Sequence, residues 1–143
     1  MIFVDTFFSF FITASFAILF KVKGMLIIYS AIGGSISAFV YLYLMEQSFS
    51  YSISYLIATA VTALYSEIMA KKLKTTVPTL LVSALIRLAP GSGVYYTMLY
   101  FIQNKYNDAF LKGMETSIIA GSMALGIIFV STLFRVFNYK SQK

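Results

Sequence analysis

The sequence predicts an all-α, polytopic transmembrane helix bundle of about five spans, and two observations predict it. Hydrophobic residues make up 59% of the chain and charged residues only 11%, whereas an ordinary soluble domain carries about 25% charged residues. The apolar residues are also gathered into long runs, each approaching or exceeding the roughly 20 residues that cross a bilayer core. Five runs with short connections use up the 143 residues, so 1–143 reads as a single transmembrane domain.

The first run extends from Ile2 to Phe20. Its lysines, Lys21 and Lys23, follow the apolar stretch instead of preceding it as in a signal peptide, so it reads as a retained span. The second, Met25 to Met45, carries Gly33, Gly34, Ser37 and Ala38 on one side. The third, Ile53 to Ala70, has a small residue at every fourth position: Ser54, Ala58, Thr62, Ser66 and Ala70. The fifth, Met114 to Phe137, offers a similar face at Ser117, Ala120, Gly121, Ala124 and Gly126. Small residues let membrane helices approach closely, so all three faces are expected to pack inside the bundle, a pore lining being the alternative only where Thr or Ser also faces water.

The fourth run, Val77 to Gln103, is interrupted at Leu88-Ala89-Pro90-Gly91-Ser92-Gly93. Proline removes a backbone donor and obstructs the preceding turn, and two nearby glycines admit conformations closed to other residues. A helix broken at Pro90-Gly91 is expected. Such breaks persist at membrane depth only where protein or a water-filled cavity surrounds them, and transporters build binding sites from them; a simple kink is the alternative.

Lys and Arg are enriched on the cytoplasmic side of membrane proteins. With five spans and the N-terminus outside, the inner side receives Lys21, Lys23, Lys71, Lys72, Lys74, Arg135, Lys140 and Lys143, and the outer side only Lys105 and Lys112. A re-entrant fourth segment would leave a weaker asymmetry. The expected topology is therefore N-terminus outside and a cytoplasmic Lys140 to Lys143 tail, with a bacterial inner membrane as the location.

Charge within a span costs about 2.5–3.5 kcal/mol on insertion scales, so each ionisable residue needs a reason. Asp5 near the outer end of the first span and Glu115 in the first turn of the fifth meet positive helix ends. Glu67 stands one turn before Lys71, which suits an i,i+4 ion pair; alternatively Glu67, with Thr62 and Ser66 on the small-residue face, carries a proton as the coupling ion. Arg87, ten residues into the fourth run, is expected near mid-membrane, either gripping a substrate carboxylate or bonding carbonyls freed by the break. On the first reading the substrate site comprises Arg87, Pro90, Gly91, Ser92, Gly93, Tyr95 and Tyr96, with glycine backbone and tyrosine hydroxyls beside the positive head of a half-helix.

Several function classes are excluded or weakened. The chain has no Cys and no His, which removes thiolate nucleophiles, imidazole bases and the commonest zinc ligands. No phosphate-cradling loop is present, so no cofactor or directly bound ATP is expected and the protein reads as a non-enzyme. The net charge of +6 comes from small clusters between apolar runs, not a stripe suited to nucleic acid.

The stretch Leu88-Ala89-Pro90-Gly91-Ser92-Gly93-Val94-Tyr95-Tyr96-Thr97-Met98 resembles the bacterial threonine/serine exporter family, whose C-terminal halves carry a Pro-Gly-rich break followed by Tyr and often Thr-Met. The order of spans around it matches as well. The resemblance implies a short five-span subunit of a ten-span secondary transporter, partnered by a homologous longer subunit or by self-association. It also implies export of threonine- and serine-like amino acids or of dicarboxylates such as succinate. Arg87 stands where that family more often has proline or an apolar residue, so its role belongs to this branch, in substrate choice or in helix packing. The competing function is a non-transporting membrane scaffold whose broken fourth helix docks a partner.

Overall fold

The computed structural model describes residues 2–141, with side chains to residue 137. Among these residues the chain forms six helices and no strand: α1 (Ile2–Leu19), α2 (Leu26–Glu46), α3 (Tyr51–Lys72), α4 (Val77–Leu85), α5 (Gly91–Ile102) and α6 (Tyr106–Ser141). α1, α2, α3 and α6 are each long and apolar enough to cross a membrane. The predicted helical membrane bundle is present, with the fourth segment divided into α4 and α5.

Four helices stop in the same way. After α1, α2, α3 and α5 the chain enters the left-handed region at Lys21, Ser48, Lys74 and Asn104, with φ of 59°, 60°, 50° and 58°. The following amide turns back onto the last helical turn, as in Val22 N–H to the Ala17 carbonyl and Thr75 N–H to that of Ala70. Carbonyls that would otherwise lack donors are thereby satisfied. α4 starts differently, with Pro78 in its first turn, where a missing N–H costs nothing.

The helices pack in a row, α1 on α2, α2 on α3, α3 on α6 and α6 on α5, with α4 wedged against α1, α2 and α3. Close approach explains the choice of residues. Gly34 receives the Thr13 side chain, Gly33 meets Tyr65 and Ala84, and Gly126 meets Thr59 and the backbone of Leu56 and Ala60. Every small residue predicted on the faces of α2 and α3 is buried. Two of the buried hydroxyls return to their own helix, Thr62 to the Ala58 carbonyl at 2.7 Å and Thr59 to that of Tyr55 at 2.8 Å, whereas those of Thr13, Ser30, Ser37 and Ser66 are buried without a partner among the described residues.

α6 departs from expectation twice. It begins at Tyr106, eight residues before the predicted Met114, because the turn after α5 takes only three residues, 103–105, and the helix then resumes. Of the small residues predicted on its face only Gly126 is buried; Ser117, Ala120, Gly121 and Ala124 face outward. The buried positions are Ala109, Thr116, Met123 and Val130, a spacing of seven that defines a different seam along the helix.

Contacts fix the relative directions. Tyr29 pairs with Tyr65 and Tyr41 with Tyr55, so α2 and α3 are antiparallel. Gly126 lies beside Leu56 and Thr59 while Phe134 lies beside Lys71, so α3 and α6 run the same way. The segment between them therefore returns the chain across the bundle, and the re-entrant alternative is not adopted. Lys21, Lys23, Lys71, Lys72, Lys74 and Arg135 all fall at one end of the bundle as a consequence. Lys140 and Lys143 lie outside the residues whose side chains are described.

α6 starts on the order of 30 Å before Gly126, whereas α3 starts only about 10 Å before Ala58, taking a rise of ~1.5 Å per residue. α5 and the head of α6 thus form an arm that passes the beginning of α3.

Candidate functional site

The break between α4 and α5 is built by a tightening turn. Leu88 N–H bonds to the Leu85 carbonyl at 2.9 Å, and Ala89 N–H is shared between Leu85 and Ile86 at 3.1 and 3.3 Å. Pro90 has no N–H to continue the ladder, and α5 starts at Gly91. No side chain among the described residues caps the head of α5. Gly91 N–H turns back to the Ala89 carbonyl at 2.7 Å, and the amides of Ser92 and Gly93 are left for solvent or a ligand, at the end of the helix that favours anions.

This head opens into a cleft of about 140 Å³ whose walls come from four elements. Pro90, Ser92 and Gly93 form one side, and Tyr41 of α2 with Tyr51 and Tyr55 of α3 form another. α6 supplies Lys112, Glu115 and Thr116. The Lys112 ammonium pairs with the Glu115 carboxylate at 2.8 Å, and both side chains are partly exposed, 35% and 50%. The Thr116 hydroxyl donates to the Lys112 carbonyl at 2.7 Å, and the Thr116 side chain lies against Gly93, its hydroxyl oxygen nearest. Tyr41 and Tyr55 lie with ring centroids 4.7 Å apart. An uncapped helix head, a cation, an anion and phenolic hydroxyls around one small space suit a small polar solute that carries a carboxylate.

A larger cavity of about 600 Å³ lies between α5 and α6, lined mainly by Phe101, Tyr106, Phe110, Met114 and Ile118. It has no charged wall, so lipid or another apolar surface suits it and an ionised metabolite does not.

Of the residues predicted for the site, Pro90, Ser92 and Gly93 line the cleft. Gly91 opens α5, and a β-carbon there would meet nothing within 4 Å. Tyr95 and Tyr96 lie on the outer surface of α5, 61% and 45% exposed, edge to face with each other. The reason is helical: α5 docks on α6 through Gly93 and Thr97, which meet Thr116 and Gly113, and the positions between them are carried round to the far side. Arg87 sits half-buried in the turn, outside the cleft walls. The break is level with Tyr51 and Tyr55 in the first turns of α3, and α5 continues from it beyond the start of that helix.

Thr62 is buried and bonded within α3, and Glu67 is half-buried 12 residues beyond Tyr55, about 18 Å along the helix. Neither adjoins the cleft. Lys71, the ion-pair partner expected for Glu67, holds its ammonium 5.1 Å from the Phe134 ring centroid.

Tyr41, Tyr51, Tyr55 and Lys112 were not legible as site residues, and Glu115 was assigned to a helix start that Asp108 occupies instead. One signal was available for the tyrosines. A four-residue connection from Gln47 to Ser50 forces α2 and α3 into a hairpin and brings Tyr41 opposite Tyr55.

A family profile described as threonine/serine exporter, ThrE, matches residues 5–133. No curated protein and no solved structure matches the chain. The matched region runs from the first turn of α1 almost to the end of the described part of α6, and includes the break and every wall of the cleft. With a helical membrane bundle divided at Pro90-Gly91 and a profile match over nearly its whole length, the chain belongs to the threonine/serine exporter family of membrane proteins.

Proposed function

We propose that this chain is a membrane subunit of a secondary transporter that exports small carboxylate-bearing metabolites, threonine- and serine-type amino acids or dicarboxylates such as succinate. It works with a homologous longer five-span subunit or a second copy of itself. The observation that carries this reading is the polar cleft at the uncapped head of α5, enclosed by Tyr41, Tyr55, Lys112 and Glu115. In an apolar bundle such a concentration of polar groups needs an occupant or a wet path. The lysine-rich end supports a cytoplasmic C-terminus in a bacterial inner membrane, which puts the cleft toward the outer face.

Within this reading the α5 head and Lys112 attract the carboxylate, and the tyrosine hydroxyls orient it. An ion gradient supplies the energy, with Glu67 as the coupling candidate at the far end of α3.

The test is efflux from preloaded cells, with the folded protein in the membrane measured in parallel. Gly91→Leu places a bulky side chain on the exposed head of α5, between the cleft residues Pro90 and Ser92, where no atom obstructs it, so insertion should be normal and efflux lost. Unchanged efflux would take the break out of the transport path and leave partner docking as its function.

A further inference from the structure

Glu115 supplies the carboxylate in the cleft, among walls otherwise built from Lys112, hydroxyls, aromatic rings and the head of α5. We propose that Glu115 is the specificity-determining residue of this site: it binds the ammonium of an amino-acid substrate and disfavours acids that lack one. This rests on the reading of the cleft as the transport site.

The argument starts from the Lys112–Glu115 pair. The two charges face each other at 2.8 Å with both side chains partly exposed, and an exposed pair of this kind is held weakly. A zwitterion can exchange with it fully, its carboxylate taking the place of Glu115 on Lys112 and its ammonium the place of Lys112 on Glu115. No charge is left without a partner. A dicarboxylate or hydroxy acid can satisfy Lys112 only, and it then brings a like charge or a neutral group to Glu115. The rings of Tyr41 and Tyr55 add faces that attract a cation. Thr116 fixes the geometry, because its bond to the Lys112 carbonyl and its contact with Gly93 lock the turn of α6 that carries both charges.

The test compares efflux of L-serine, of glycerate (the same skeleton with hydroxyl in place of ammonium) and of succinate. It uses membrane vesicles from cells that make the full chain with its native membrane partners. Wild type should favour serine. Glu115→Gln should lower the serine-to-glycerate ratio about tenfold or more, the scale of one charge-assisted hydrogen bond, while Glu115→Asp retains most of the preference. Lys112→Gln breaks the same ion pair but keeps the carboxylate, so it should preserve the ratio while slowing all three solutes. A ratio unchanged by Glu115→Gln, or lowered equally by Lys112→Gln, overturns the assignment and leaves the pair a structural contact. Efflux of none of the solutes by wild type overturns the transport reading itself, which separates the two failures.

Discussion

Gly93 of α5 lies so close to Thr116 of α6 that a β-carbon at 93 would overlap the threonine side chain, whereas one at Gly91 would meet nothing. The two glycines of the Pro-Gly-Ser-Gly motif therefore do different work: Gly93 seats α5 on α6, and Gly91 leaves space over the helix head. Gly93→Ala should destabilise the protein by about 1–3 kcal/mol, the usual penalty for overpacking, and Gly91→Ala should be close to neutral. Thermal unfolding in detergent measures both. Adding Thr116→Ala to Gly93→Ala should recover much of the loss, since it removes the obstructing atoms; a purely additive double variant would count against the contact.

A second pair of glycines separates buried from outward faces on α6. Gly126 abuts Thr59, the Leu56 carbonyl and the Ala60 amide, while nothing approaches Gly121. Gly126→Leu should push α6 off α3 and sharply reduce the amount of folded protein in the membrane. Gly121→Leu should be accepted by the isolated chain. Equal loss for both, in detergent where partners are absent, would mean that the α6 seam is misassigned.

The Tyr65 hydroxyl donates to the Tyr29 carbonyl at 2.9 Å, tying α3 to the first turn of α2. Tyr65→Phe should cost about 1 kcal/mol, the net contribution of one such bond, without altering the ring's packing on Gly33. A thermal midpoint equal to that of wild type would show the bond to be replaceable by water.

Parallel α3 and α6 require that the turn at 103–105 and the C-terminus lie on opposite sides of the membrane. Alkaline phosphatase should be active when inserted after Asn104 and inactive at the C-terminus, and a C-terminal fluorescent protein should be bright. Matching activity at both points would mean that α6 does not cross, and a full reversal with the N-terminus still outside would mean that the fourth segment does not cross.

The sequence by itself determined the class of fold, the apolar runs and the break. These depend on local quantities: the length of each apolar run, the lysines at its ends, and a proline that cannot continue a hydrogen-bond ladder wherever it is placed. It also picked out the small-residue faces of α2 and α3, because period-four spacing defines a face before any partner is known. Which faces meet was decided only by tertiary structure. On α6 a seven-residue seam through Thr116 and Met123 took the place of the smaller face at Ser117 and Gly121, since α3 and α5 must both be accommodated on one helix. The site followed the same rule. Pro90, Ser92 and Gly93 were evident from their own chemistry, but Tyr41, Tyr55, Lys112 and Glu115 are spread over three helices and gain their meaning from register alone. Tyr95 and Tyr96, adjacent to the motif in sequence, were turned outward by the docking of α5 on α6. Proximity along a helix does not set direction around it; the partner helix does.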